Sequence, residues 1–183
     1  KMSKSLGNFF AIREVLARHD ATALRCYFLA SHYRSPINFS QEGLEEAEKS
    51  VERIYETMDR LDRSIPSTDG AATEPGVLEA FQQEMDDDFN TPRALALLFD
   101  EIRSLNRALD ESRVERLLPR AHALRRLVAA LGLLQHEPEA FMGRKKERWM
   151  RRQGFSAASV EELIRRREKA RGAKQWQEAD RIR

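Results

Sequence analysis

Apolar residues recur along most of this chain at alternating spacings of three and four, which is the period of an amphipathic α-helix. The longest run comprises Leu44, Ala47, Val51, Ile54, Met58 and Leu61. It predicts a helix of about five turns with a single apolar face. Similar runs predict helices over 8–18, 20–32, 77–85, 92–109 and 114–134. The pattern therefore predicts an all-α protein, an antiparallel helical bundle followed by a small C-terminal helical domain.

The expected helix ends follow from capping residues. Asp20 and Ser40 precede two of the runs and are suitable N-caps. Thr91 with Pro92 marks another helix start, since proline is favoured at the first helical position. Ser159 and Glu162 have the spacing of a capping box for a helix that ends near Arg171.

Breaks in the helical period divide the chain. Pro36 interrupts the segment 32–39, and 65–76 is rich in Pro, Gly, Ser and Thr, which is typical of loops. We expect four regions: an N-terminal loop with connecting helices (1–39), a bundle (40–137), a basic linker (138–155) and a C-terminal helical domain (156–183).

Charge is unevenly distributed. Residues 1–140 contain 18 Lys/Arg against 24 Asp/Glu, whereas residues 141–183 contain 14 against 6. A basic tail on an acidic body is typical of proteins that bind polyanions, although a solvated charged helix gives the same composition. No apolar run reaches the roughly 20 residues that span a bilayer. We therefore expect no membrane partner. A cytoplasmic location is expected because a single cysteine fits a reducing compartment, and a monomer is expected as well.

The chain has a single cysteine, Cys26, within a predicted helix. A buried apolar role is expected for it, because no second cysteine is available as a metal ligand or disulfide partner. The three consecutive carboxylates 86–88 diverge on a helix and are interpreted as capping and solvation. We predict no metal site in this chain.

The chain opens with Lys-Met-Ser-Lys-Ser, in which two ammonium groups lie three positions apart with a hydroxyl between them. Such groups stabilise the charge on a leaving pyrophosphate. The motif resembles the mobile ATP loop of class I aminoacyl-tRNA synthetases. The resemblance implies that Lys4 steadies the triphosphate in the transition state with help from Lys1. It also implies an ATP-binding set of Lys1, Met2, Ser3, Lys4 and Ser5.

Five further segments, in order, resemble cysteinyl-tRNA synthetase in particular: 6–9, 20–25, 34–39, 85–92 and 174–183. The resemblance implies that Arg34 contacts tRNA and that Arg171, Trp176 and Asp180 read the anticodon. An exposed indole can stack on an unpaired base, and charged side chains can read base edges. From the residues alone, Arg34 could equally hold its own segment in place, and Trp176 could equally pack between two small helices.

The resemblance implies an enzyme that activates cysteine with ATP and Mg²⁺ and transfers it to tRNA-Cys. Zinc is expected only in an N-terminal catalytic domain, which this chain lacks. Because the family's catalytic domain should precede the ATP loop, the isolated chain is expected to be inactive. Because a β-hairpin with further anticodon contacts should follow Arg183, it is also expected to be weak in anticodon recognition. Two alternatives remain: a related ligase that joins cysteine to an amino-sugar inositol, and a non-catalytic helical interaction module.

Overall fold

A computed structural model describes residues 11–65, 74–111 and 117–182. Within these residues the backbone forms nine α-helices and no β-strand, so the predicted all-α class is confirmed. The helices are α1 Ile12–Arg18, α2 Ala21–Leu29, α3 Gln41–Ser64, α4 Pro75–Asp86, α5 Thr91–Asp110, α6 Leu118–Ala130, α7 Pro138–Arg152, α8 Ala157–Gly172 and α9 Trp176–Arg181. The chain divides into two compact units, Lys1–Glu139 and Ala140–Arg183.

The first unit is a helical bundle centred on α3. Helix α3 packs against α2, α5 and α6, while α4 packs against α5 and α6. All six apolar positions predicted for the α3 seam are buried. Helices α5 and α6 contribute further buried apolar residues to this unit: Leu95, Leu98, Ile102, Leu105, Leu124, Leu127 and Val128. The apolar period in the sequence therefore corresponds to the core of this unit.

A smaller cluster attaches α1 and α2 to the start of α3. Val15, Leu24 and Leu44 form it, and the ring of Tyr27 packs against them. The Tyr27 hydroxyl donates a hydrogen bond to the Asn38 carbonyl at 2.8 Å. Gly43 is required at this point, because a β-carbon there would lie 2.8 Å from the Tyr27 ring.

Polar side chains fasten the bundle where its helices meet. Arg120 on α6 donates two hydrogen bonds, of 2.7 and 2.8 Å, to the buried carboxylate of Glu101 on α5. This pairing raises the pKa of Arg120. The guanidinium of Arg25 on α2 donates to the Gly132 carbonyl at 2.5 Å. The pairing with Arg120 spares the buried Glu101 carboxylate the cost of unpaired burial, whereas the exposed Arg25 adds a surface hydrogen bond.

Two of the predicted N-caps are confirmed and two helix starts differ. Asp20 accepts a hydrogen bond from the Thr22 amide, and Ser40 accepts one from the Gly43 amide. Helix α5 is capped by Asn90 rather than Thr91. The predicted capping box of Ser159 and Glu162 is wrong, since Ser156 is the cap and pairs reciprocally with Ser159. Where two serines compete, the one with extended backbone is selected.

Helix also extends into segments that were predicted to be irregular. Helix α4 begins at Pro75, so Gly76 lies in its first turn and not in the loop predicted for 65–76. The predicted basic linker 138–155 is helical from Pro138 to Arg152. Most residues of α7 are Arg, Lys, Glu, Met and Ala, all strong helix formers, and Gly143 alone is not enough to break the helix.

The second unit contains the helical pair α8 and α9, which pack against each other. Their contact is small, since Ala170 and Ala179 are the buried residues of these two helices. The turn between them is a Schellman motif. The Gln175 amide donates to the Ala170 carbonyl at 2.8 Å and the Lys174 amide donates to Arg171 at 3.0 Å. Lys174 has φ +58°, a left-handed conformation that costs a non-glycine residue about 1–2 kcal/mol.

Candidate nucleic-acid interface

The predicted ATP-binding residues Lys1, Met2, Ser3, Lys4 and Ser5 lie outside the described residues. Their roles stay a prediction. The described part of the chain begins at Ala11 and enters α1, whose Val15 is buried in the cluster with Leu24 and Leu44. The motif therefore precedes, by a few residues, a helix that is packed onto the bundle.

Arg34 lies on the segment between α2 and α3, and its guanidinium is mostly exposed. Its Nη1 is 3.3 Å from a carboxylate oxygen of Asp88, in the turn between α4 and α5. Two neighbours of Arg34 contact the same aspartate. The Tyr33 hydroxyl donates to the Asp88 carboxylate at 2.7 Å, and His32 Nε2 lies 3.1 Å from its carbonyl oxygen. Asp88 therefore anchors this segment to the bundle.

The anchoring role of Asp88 was missed from the sequence, where residues 86–88 were interpreted as capping and solvation. Its partners lie more than 50 positions earlier, so no local pattern identifies it. The hydrogen bond from Tyr33 to Asp88 raises the pKa of the tyrosine. Asp88 and Phe89 both have φ +53°, a conformation that costs each of them about 1–2 kcal/mol. The contacts of Asp88 help to hold this strained turn.

Trp176 is the first residue of α9, and its indole is 58% exposed. This exposure favours the stacking role over the alternative in which the ring packs between two helices. Asp180 lies four positions later and thus on the same face of α9. Arg171 lies in the last turn of α8, and both charged residues are exposed. All three predicted residues therefore lie near the α8–α9 turn with access to solvent.

An open depression of about 530 Å³ lies beside Trp176. Lys174 and Arg181 line it together with Gln175, Gln177 and Glu178. Neither Arg171 nor Asp180 is among the lining residues. The sequence interpretation missed Lys174 and Arg181, and the available signal was the presence of a basic residue on each side of the tryptophan. The depression combines an aromatic face with two cations, which suits a stacked base with a nearby phosphate.

A second exposed aromatic group lies on α7. The indole of Trp149 is 56% exposed and the ring of Phe155 is 41% exposed. The two rings are stacked, with centroids 6.3 Å apart and an angle of 20° between their planes. The surrounding sequence is strongly basic, with six Lys/Arg and a single Glu over 141–155. Interpretation of this segment as a linker does not define where these aromatic residues lie, whereas helix α7 fixes the position of Trp149 on one of its faces.

Cys26 is buried in α2, as expected, and burial raises the pKa of its thiol to about 11. A thiol with such a pKa is a poor nucleophile at neutral pH. Across the three described ranges, no group of three or more His, Cys, Asp or Glu side chains is placed to hold a metal ion. The described residues thus offer no zinc site. None of the described helices is long and apolar enough to cross a membrane.

Two family models match the chain. The model described as the tRNA synthetases class I (C) catalytic domain matches residues 1–49, and the model described as the DALR domain matches residues 80–135. The second match begins within α4 and covers the whole of α5 and α6. The N-terminal 49 residues are thus similar to the catalytic domain of class I tRNA synthetases.

The chain is homologous over its whole length to cysteine–tRNA ligases, which confirms the resemblance found in the sequence. It is 43% identical over 195 residues to the Geobacter sulfurreducens ligase, covering 100% of this chain and 40% of that protein. It is 46% identical over 185 residues to the Thioalkalivibrio sulfidiphilus ligase, covering 100% and 38%. For the Ectopseudomonas mendocina ligase the identity is 46% over 183 residues, covering 100% and 37%. The chain thus spans about two fifths of the length of these curated relatives.

Proposed function

We propose that this chain is the part of a cysteine–tRNA ligase that supplies the ATP loop and helices that bind tRNA-Cys. The observation that carries this proposal is the identity of 43–46% along the entire chain. The complete enzyme would activate cysteine with ATP and pass it to tRNA-Cys. Zinc, if the complete enzyme uses it, would be held by residues outside the described part of this chain.

Within the ATP loop, Lys4 would stabilise the negative charge that develops on the triphosphate, and Lys1 would assist. Met2, Ser3 and Ser5 would shape the loop and donate hydrogen bonds. A lysine is suited to this task because its ammonium is a compact charge on a flexible stem. Removing a preorganised donor to a developing charge typically costs 10²–10³-fold in rate.

The test of the ATP loop is cysteine-dependent ATP–pyrophosphate exchange in a ligase that contains this chain. We expect Lys4→Ala to slow the exchange by about 10²–10³-fold. Lys169→Ala removes the same charge at an exposed position of α8 and is the control, which should leave the exchange rate unchanged. A Lys4→Ala enzyme with normal exchange would refute the assigned role and favour the non-catalytic helical module.

For tRNA, the proposed contacts are the indole of Trp176, the charged groups of Arg171 and Asp180, and the guanidinium of Arg34. Trp176 is exposed in a unit with eight more basic than acidic residues. This charge balance attracts the phosphate backbone, and the indole supplies a stacking face. Because Arg34 is already paired with Asp88, it would contact phosphate only through the part of its guanidinium that faces solvent.

The test of tRNA binding compares the affinity of the chain for tRNA-Cys, an anticodon variant of it and an unrelated tRNA across a salt series. We expect salt-dependent binding that prefers tRNA-Cys. Trp176→Leu should weaken it by roughly tenfold, the effect of losing one stacked base. Ile164→Ala, which shortens an exposed apolar side chain of α8, is the control and should bind as the wild type does. Absence of binding even at low salt would contradict the proposal and favour the amino-sugar ligase or the helical module.

A further inference from the structure

Helix α7 presents a continuous basic and aromatic surface that the proposed contacts do not use. On a helix, residues three and four positions apart are neighbours on one face. Lys145, Lys146 and Arg152 stand four before, three before and three after Trp149. These four residues, Lys145, Lys146, Trp149 and Arg152, are called the α7 stripe below.

The opposite side of α7 differs from the stripe. Glu147 and Arg151 are each two positions from Trp149, about 160° away around the helix. Glu147 is the only acidic residue between 141 and 155. The stripe itself carries three cations and no carboxylate, whereas Arg144, Arg148 and Arg151 lie off it together with Glu147.

The aromatic pair at the end of α7 has a local explanation that is incomplete. The helix ends in a Schellman motif: the Phe155 amide donates to the Met150 carbonyl at 2.8 Å, and Gly154 has φ +72°. Such a motif is often accompanied by a contact between Phe155 and the last turn of the helix. This contact explains why the rings meet. It does not explain why the two rings remain exposed, Trp149 by 56% and Phe155 by 41%, since an apolar cap is more stable when it is buried.

We propose that the α7 stripe, extended by Phe155, is a second RNA-binding surface, on which the indole stacks against an exposed base while the flanking cations contact phosphates. The inference rests on the proposed function, because the RNA it takes is the tRNA of that reaction. Stacking and phosphate contact carry no base-edge information. The surface therefore adds affinity for any tRNA, whereas the preference for tRNA-Cys comes from elsewhere.

RNA fits this surface better than an anionic membrane does. A helix that lies on a membrane buries a broad apolar face. Around the stripe, the large exposed apolar groups are the two stacked rings alone. Of the positions next to Trp149 on this face, three are basic and the fourth, Gln153, is polar. A polyanion with stackable bases matches three cations around an aromatic ring.

The experiment measures the affinity of the whole chain for tRNA-Cys and for an unrelated tRNA across a salt series. Trp149→Leu should weaken the binding of both tRNAs by about tenfold. Trp149→Phe keeps an aromatic ring and should bind both tRNAs almost as tightly as the wild type does. Lys146→Gln should lower the slope of log affinity against log salt by about one. Arg151→Gln removes the same charge from the opposite side of α7 and should leave the slope unchanged.

Each failure points to a different conclusion. If Trp176→Leu weakens binding but Trp149→Leu and Phe155→Leu do not, the α7 surface is refuted and the proposed function stands. Equal changes of slope for Lys146→Gln and Arg151→Gln would also refute it. Wild-type chain that binds neither tRNA overturns both proposals. Vesicles with one third anionic lipid serve as a further probe. If the chain bound them and this binding depended on Trp149, the ligand of the α7 surface would be a membrane and the RNA proposal would be overturned. Circular dichroism of each variant verifies that α7 is intact.

Discussion

The two units of this chain are stabilised in different ways. The bundle buries large apolar side chains from four helices, among them Leu44, Ile54, Leu98 and Leu124 with no exposed surface. In residues 140–182, the buried apolar residues are Phe141, Ala170 and Ala179. A region with so few buried groups depends on local features such as helix capping and intrinsic helix propensity.

The two units also differ in the charge that surrounds their exposed apolar side chains. Exposed large apolar side chains occur in both units: Ile12, Leu16, Phe28, Tyr33, Ile37 and Phe89 in the first, and Trp149, Phe155, Ile164 and Trp176 in the much shorter second unit. The excess of basic residues, in contrast, lies in the second unit alone. Large apolar groups left in water among cations are typical of a binding surface. The bundle is therefore a scaffold whose sequence is constrained by packing, and we infer that the second unit is constrained by what it binds.

The largest expected effect is the loss of stability that a cavity in the core of the bundle would cause. Leu98→Ala should lower the free energy of unfolding of the bundle by about 3 kcal/mol, because the fully buried side chain leaves a cavity. Ile164→Ala, at a side chain that is 52% exposed, should change stability by about 0.5 kcal/mol or less. A urea titration that is monitored by hydrogen exchange of peptides from each unit measures the change in unfolding free energy for both variants. Similar costs for the two variants would show that α5 does not close a rigid core.

The contrast also explains how much of the fold could be predicted. The bundle seam was predicted residue by residue because burial imposes a period of three and four on the sequence. The caps at Asp20 and Ser40 were predicted because capping is a local interaction. At α8 the local signal was ambiguous, since Ser156 and Ser159 can each serve as the cap. The segment 138–155 was interpreted as a basic linker from its charge and from Gly154, whereas most residues of α7 are strong helix formers.

The candidate sites were predictable to a smaller extent. Trp176 and its charged neighbours follow from the sequence motif, but only the structure shows that the indole is in water. The link between Arg34 and Asp88 spans 54 positions and arises from packing, so no local pattern contains it. The stripe on α7 depends on a helix that the sequence interpretation replaced by a linker, which left its four residues without a common face.

The smallest predicted effect concerns the helix ends on which the second unit depends. Gly154→Ala forces an alanine into φ +72° and should destabilise the end of α7 by about 1 kcal/mol. No neighbouring atom obstructs the new methyl group, so the cost comes from the backbone alone.

The substitution Lys174→Gly has the opposite effect, because it places a glycine at φ +58°. It should stabilise the α8–α9 turn by roughly 0.5 kcal/mol after the entropy cost of glycine. Lys174→Ala keeps the left-handed backbone but removes the charge, and should show no gain. Hydrogen exchange of amides in 150–156 and 170–176 measures these changes. If both glycine changes left exchange unaltered, packing would outweigh helix capping in the second unit as it does in the bundle, and the contrast between the two units would not hold.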